Sequence, residues 1–103
     1  MTIAESWAGA AGVAHGGVLA AALDEALGYV VWALGHRCAT ARLEVDYLAP
    51  VPVGSRLWVT ARGTAVAGRK LYAEAEATIG GPTGVPAVRA AALFVAVRNG
   101  GAQ

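Results

Sequence analysis

His15-Gly16-Gly17 and Asp24 are the residues of this 103-residue chain whose types and spacing could do chemistry. Backbone N–H groups in the first turn of a helix lack intrahelical partners, and the helix dipole is positive there. A helix opening at Gly16 therefore offers a site for a carbonyl oxygen that gains negative charge. The two glycines also read more simply as residues that permit a tight turn into the helix. His15 reads as a cap or a loop contact. Asp24 stands among Gly17, Ala20, Ala21 and Gly28, small neighbours that leave room for a substrate. The same pattern suits an acid at a helix–helix contact paired with an Arg. Glu25 points about 100° away around the helix and reads as solvated or ion-paired. From Gly16 to Asp24 is roughly 12 Å of helix rise, too far for both to touch one reacting carbon. If they cooperate, they belong to different chains, as in two antiparallel helices across a twofold axis.

The elements that must position these groups are legible in the pattern. TIAESW (2–7) reads as a short first strand and GAAG (9–12) as a loop. A long helix follows, and Gly35-His36 ends it. Leu19, Leu23, Ala26, Val30 and Leu34 fall on one stripe at three- and four-residue spacing, the face expected to pack on a sheet. Segments 40–48, 56–66, 70–79 and 87–97 are rich in β-branched and aromatic residues, separated by turn material in APVPVGS, AGR and GGPTGVP. One helix followed by four strands on short connections predicts an α+β fold, a single domain over 1–103 in which the helix lies across an antiparallel sheet. A single helix covers one sheet face; the other is polar or covered by a second subunit.

Composition narrows the function. Apolar residues make up 56% and charged residues 15%, a balance that predicts apolar surface meeting another chain. The net charge is +1, with seven Arg and one Lys scattered, so no basic stripe exists to neutralise nucleic-acid phosphates. Cys38 is alone and cannot form an intramolecular disulfide, and MTIAESWAGA has no cationic flank or apolar run of a signal peptide. Both point to the cytoplasm. The stretch from Gly16 to Gly35 has the length of a membrane span, but Asp24 and Glu25 at its centre would each cost roughly 3 kcal/mol there. Cys38, His36 and His15 match no usual zinc or thiol-nucleophile spacing.

The motifs together resemble a known family. An acid nine residues after the His of HGG, Thr40 sixteen residues after that acid, then VDYLAPVPVG and GRKLYAEAEA, are similar to hotdog-fold acyl-CoA thioesterases of the PaaI-like branch, over about Gly9 to Val97. The resemblance implies a homodimer with a continuous sheet, often stacked into a homotetramer. It implies that the amide of Gly16, beside His15 and Gly17, polarises the thioester carbonyl, and that Asp24 comes from the other subunit. Asp24 then acts as general base, or as nucleophile through a mixed anhydride, with Thr40 holding the water or the carboxylate. No metal or bound cofactor is implied. The substrate is acyl-CoA or an acyl-carrier protein, with Arg69 and Lys70 as candidate phosphate contacts. Two features depart from the pattern: Gly9 stands where many relatives carry an Asn, and only fourteen residues precede His15. The competing readings are a non-catalytic acyl-thioester-binding module on the same fold, and a hotdog hydratase or dehydratase, which needs a His and an acid at a different spacing.

Overall fold

The computed structural model describes residues 2, 8–10 and 12–97. Its single helix, α1, spans Gly16–Ala33. The end signal works as expected: Gly35 takes φ +85°, a conformation glycine adopts without steric cost. Its N–H donates to the Trp32 carbonyl at 2.9 Å and the next N–H, of His36, reaches the Val31 carbonyl at 3.2 Å. This pair of bonds is the Schellman termination.

Four strands form the main sheet: β3 (Cys38–Tyr47), β4 (Leu57–Ala67), β5 (Lys70–Ile79) and β6 (Val85–Ala96). Their order is β3-β6-β5-β4, and every neighbouring pair is antiparallel. β3 and β4 are thus the edges. The core lies between α1 and one face of this sheet, where Leu19, Leu23, Leu27 and Val31 meet Ala73, Ala75, Ala90 and Phe94. Alanines on the inner face let the helix come close. By length and composition α1 could cross a membrane, yet its Leu–Val stripe is buried on the sheet.

The expected stripe needs correcting. Leu27 and Val31 are buried in place of Ala26 and Val30, which are half-buried, and Leu34 is 59% exposed. The i, i+4 row of the larger side chains faces the sheet, and Leu34 lies beyond the last helical turn, over Gly63. A second correction concerns 9–12. Ala8–Ala10 forms a strand, β1, paired with β2 (Val13–Ala14), and Gly12 turns between them at φ +71°. Of the strand expected over 2–7, Thr2 bridges to Arg56, and the rest lies outside the described residues.

The outer sheet face is polar. Arg62 pairs with Glu74 across β4 and β5, Arg89 with Glu76 across β5 and β6, and Arg42 with Glu44 along β3.

Candidate active site

The start of α1 answers why the sequence reads His-Gly-Gly. Nδ1 of His15 accepts the N–H of Gly17 at 2.9 Å, and the His15 carbonyl accepts the N–H of Val18 at 3.1 Å. His15 is the N-cap. With Nδ1 accepting, the proton of the neutral ring sits on Nε2. A side chain at Gly17 would put its Cβ 3.1 Å from that nitrogen, so glycine makes room for the cap. A Cβ at Gly16 would lie 3.3 Å from the Tyr47 ring. Each glycine therefore accommodates a different side chain.

Tyr47 is the site residue that sequence reasoning missed. From the end of β3 its phenol donates to the Gly16 carbonyl at 2.8 Å. The loop that follows adds to this hold: the N–H of Val53 donates to the Gly12 carbonyl at 2.8 Å, and Val13 bridges to Pro52. The segment VDYLAPVPVG thus fixes the direction from which the chain enters α1. The motif was visible in the sequence; its task was not, since Tyr47 and Gly16 are 31 residues apart.

One donor remains. With the Gly17 N–H spent on His15, the N–H of Gly16 has no hydrogen-bond partner among the described residues. It sits at the positive end of an 18-residue helix, where a developing oxyanion is best stabilised.

Asp24 is half-buried on the flank of α1 that faces β3 and β6, and Glu25 beside it is exposed. The Asp24 Oδ1 atom is buried and has no hydrogen-bond partner among the described residues. A carboxylate oxygen withdrawn from water without a donor is costly, and no Arg among the described residues pairs with it.

Thr40 reaches the helix side of β3 through a bulge. It pairs in register with the buried Phe94, whereas Arg42 pairs with Leu93, so Ala41 is an extra residue. The inserted residue inverts the alternation, leaving Arg42, Glu44 and Asp46 on the outer face and Thr40 inward. Thr40 is exposed there.

The remaining candidates lie elsewhere. Arg69 sits in the β4–β5 turn and Lys70 opens β5, near the end of the sheet where α1 finishes. The Arg69 guanidinium donates to the Ala96 carbonyl at 3.0 Å, while Lys70 is exposed and in no ion pair among the described residues. His15 and His36 stand at opposite ends of α1, so with Cys38 they form no common site. Burial pushes the Cys38 thiol up from its ordinary value.

A long helix laid on a four-stranded antiparallel sheet is the hotdog fold. The chain belongs to the Thioesterase superfamily, whose family model matches residues 11–85. Solved structures share the fold. A hypothetical thioesterase from Streptococcus pneumoniae, solved with coenzyme A, superposes with a TM-score of 0.87 at 21% identity, covering 94% of this chain and 77% of that one. A Streptococcus mutans protein bound to acetyl CoA gives 0.87 at 18% identity, covering 94% and 77%. The PaaI protein of the Escherichia coli phenylacetic acid degradation operon gives 0.87 at 18% identity, covering 95% and 70%. A comparison with curated proteins found no match.

Proposed function

We propose that this protein hydrolyses an acyl-CoA thioester to the free acid and CoA in a site shared by two copies of the chain. The observation that carries this reading is a double deficit on one helix: among the described residues, an N–H at Gly16 with no acceptor, and a buried Oδ1 at Asp24 with no donor. The two are separated by roughly 12 Å of rise. Pairing α1 antiparallel with a second α1 places the partner subunit's Gly16 beside Asp24, twice per dimer. The long edge strand β3, with its outer backbone groups unpaired in the sheet, supports the same assembly by extending the sheet across the twofold.

In this site the partner subunit's Gly16 N–H binds the thioester oxygen. Asp24 takes a proton from a water oriented by Thr40, and the hydroxide attacks the carbonyl carbon. The tetrahedral oxyanion settles on the Gly16 amide, the C–S bond breaks, and CoA leaves as the thiolate. His15 and Gly17 hold the donor in place, and Tyr47 fixes the helix start. Lys70, with the remaining donors of Arg69, is the proposed contact for CoA phosphates. The relatives solved with coenzyme A or acetyl CoA support a CoA ester as substrate.

The test is release of free thiol from a panel of acyl-CoAs. Turnover that Asp24→Asn removes is the expected result. Tight acyl-CoA binding with no thiol release would identify a binding module instead.

A further inference from the structure

The two side-chain bonds that fix the start of α1 end on one peptide unit. The Gly16 carbonyl accepts the Tyr47 phenol at 2.8 Å, and the Gly17 N–H, on the other side of the same amide, donates to Nδ1 of His15 at 2.9 Å. Phenol, amide and imidazole thus form one chain of hydrogen bonds. An amide whose carbonyl accepts a hydrogen bond is polarised and donates more strongly through its N–H, so each bond strengthens the other. Their anchors are far apart in the sequence: His15 caps the helix, and Tyr47 ends β3.

The preceding amide carries the proposed oxyanion donor. Its carbonyl, that of His15, accepts the Val18 N–H at 3.1 Å, and its N–H is that of Gly16. The two amides meet at the Gly16 Cα, where no side chain restrains rotation, and the next residue is a glycine as well. The first turn is also where a helix backbone is least tied by its own bonds. The free N–H is therefore aimed only as firmly as the adjoining amide is held. A Cβ would lie 3.3 Å from the Tyr47 ring at Gly16 and 3.1 Å from Nδ1 of His15 at Gly17. The glycines that loosen the turn are the same ones that admit the two side chains holding it.

We propose that Tyr47 and His15 are positioning residues that work as a single clamp on the Gly16–Gly17 amide, and that the clamp closes only while Nδ1 of His15 is unprotonated. The role rests on the thioesterase reading, in which the Gly16 N–H receives the oxyanion. A protonated Nδ1 carries an N–H of its own and cannot accept from Gly17, and an imidazolium would also face the positive end of the helix dipole. The clamp therefore opens as the pH falls through the ionisation of the imidazole. Among the described residues, the elements that meet the start of α1 bring it no carboxylate. Ala8–Ala10, Val13–Ala14 and the loop 48–54 hold no ionisable group, and in α1 the first is Asp24, nine residues on. Beneath the helix β4, β5 and β6 present apolar residues, with Arg62, Glu74, Glu76 and Arg89 on the outer face. Asp46 is on that face too, opposite Arg89, and Arg56 before β4 is exposed. The remaining titratable group is Tyr47, which donates as the neutral phenol.

The experiment is a double-mutant cycle read by acyl-CoA turnover and, independently of turnover, by NMR. His15→Ala should lower kcat about tenfold and Tyr47→Phe a few-fold, with KM little changed. The double variant should lose about tenfold, close to the larger single loss, because a clamp released at one end holds nothing at the other. His15→Asn keeps an acceptor oxygen at the N-cap and should recover most of the activity. In 15N-labelled protein at about pH 8, Nδ1 of His15 should appear as the unprotonated ring nitrogen, and since the chain has two histidines, His36→Gln assigns the signals. Exchange of the Gly17 amide with water should be about tenfold faster in His15→Ala and in Tyr47→Phe. Corrected for intrinsic exchange, it should also quicken in the parent from about pH 8 to about pH 5, and not in His15→Asn. Losses that multiply to about thirtyfold or more in the double variant would overturn the proposal. So would a His15→Asn variant as slow as His15→Ala, or a Gly17 amide whose exchange ignores Tyr47. If the parent turns over no acyl-CoA, the thioesterase reading fails, and Gly17 exchange alone decides whether the two side chains act as one clamp.

Discussion

The outer face of the sheet and the flank of α1 both carry charged and polar groups, and they treat them in opposite ways. On the sheet, Arg62 meets Glu74, Arg89 meets Glu76 and Arg42 meets Glu44, so these six charges find their counterparts within the chain, in water. On the helix, the Gly16 N–H and the Asp24 Oδ1 are left over, and one of them is buried. Folding alone would favour satisfying the second pair before the first, because an unpaired buried group costs more than a solvated pair gains. In the proposed reading, the leftover groups are the ones that a second chain and a substrate engage.

The sharpest way to break this contrast is to change the two adjacent acids separately. Asp24→Asn should lower kcat on the order of a thousandfold, as for loss of a general base, with a melting temperature equal to or above that of the parent. Glu25→Gln should stay within about twofold in the same thiol-release assay. Comparable losses in both would mean that the helix flank is misassigned.

The next effect concerns the donor. Gly16→Pro deletes the N–H at a position where proline suits the first helical turn, and should cost roughly a hundredfold in kcat. Gly16→Ala brings a Cβ against Tyr47 but keeps the N–H, so its loss should be much smaller. Steady-state kinetics in which the two variants fall equally would trace the effect to crowding of Tyr47.

Positioning residues come third. Thr40→Ala should lower kcat about tenfold with little change in KM. Tyr47→Phe removes the bond to the Gly16 carbonyl, and should cost about 1 kcal/mol in denaturant unfolding and a few-fold in kcat. The smallest effect belongs to the sheet face. Arg62→Ala should change unfolding free energy by at most about 1 kcal/mol and leave turnover alone, since both partners are largely exposed.

The same contrast separates what the sequence displayed from what it hid. Gly35 and His15 marked the ends of α1, and the strands appeared within a few residues of their expected limits, because caps and alternation are local signals. The buried row was misjudged by one position at Leu27 and Val31, since a helix this apolar all round offers several equivalent stripes. The 12 Å separation of Gly16 and Asp24 was legible from helix geometry alone. The choice of Gly16 over Gly17 as the remaining donor was not, as it depends on the side-chain rotamer that carries His15 Nδ1 onto the Gly17 amide. Nor was the inward turn of Thr40, which comes from the bulge at Ala41 and is fixed by the register with β6.

The central claim, that each site joins the Gly16 amide of one chain to Asp24 of another, is tested most directly by subunit exchange. Gly16→Pro and Asp24→Ala homodimers, each nearly inactive, are unfolded together in equal amounts, refolded, and assayed, with mixed dimers verified by mass. In a mixed dimer one site collects both lesions and the other is intact. Random re-pairing makes about half the dimers mixed, so roughly a quarter of the parent activity should return. No recovery in a verified mixture would contradict the shared site, because a site built within one chain is broken in every subunit present.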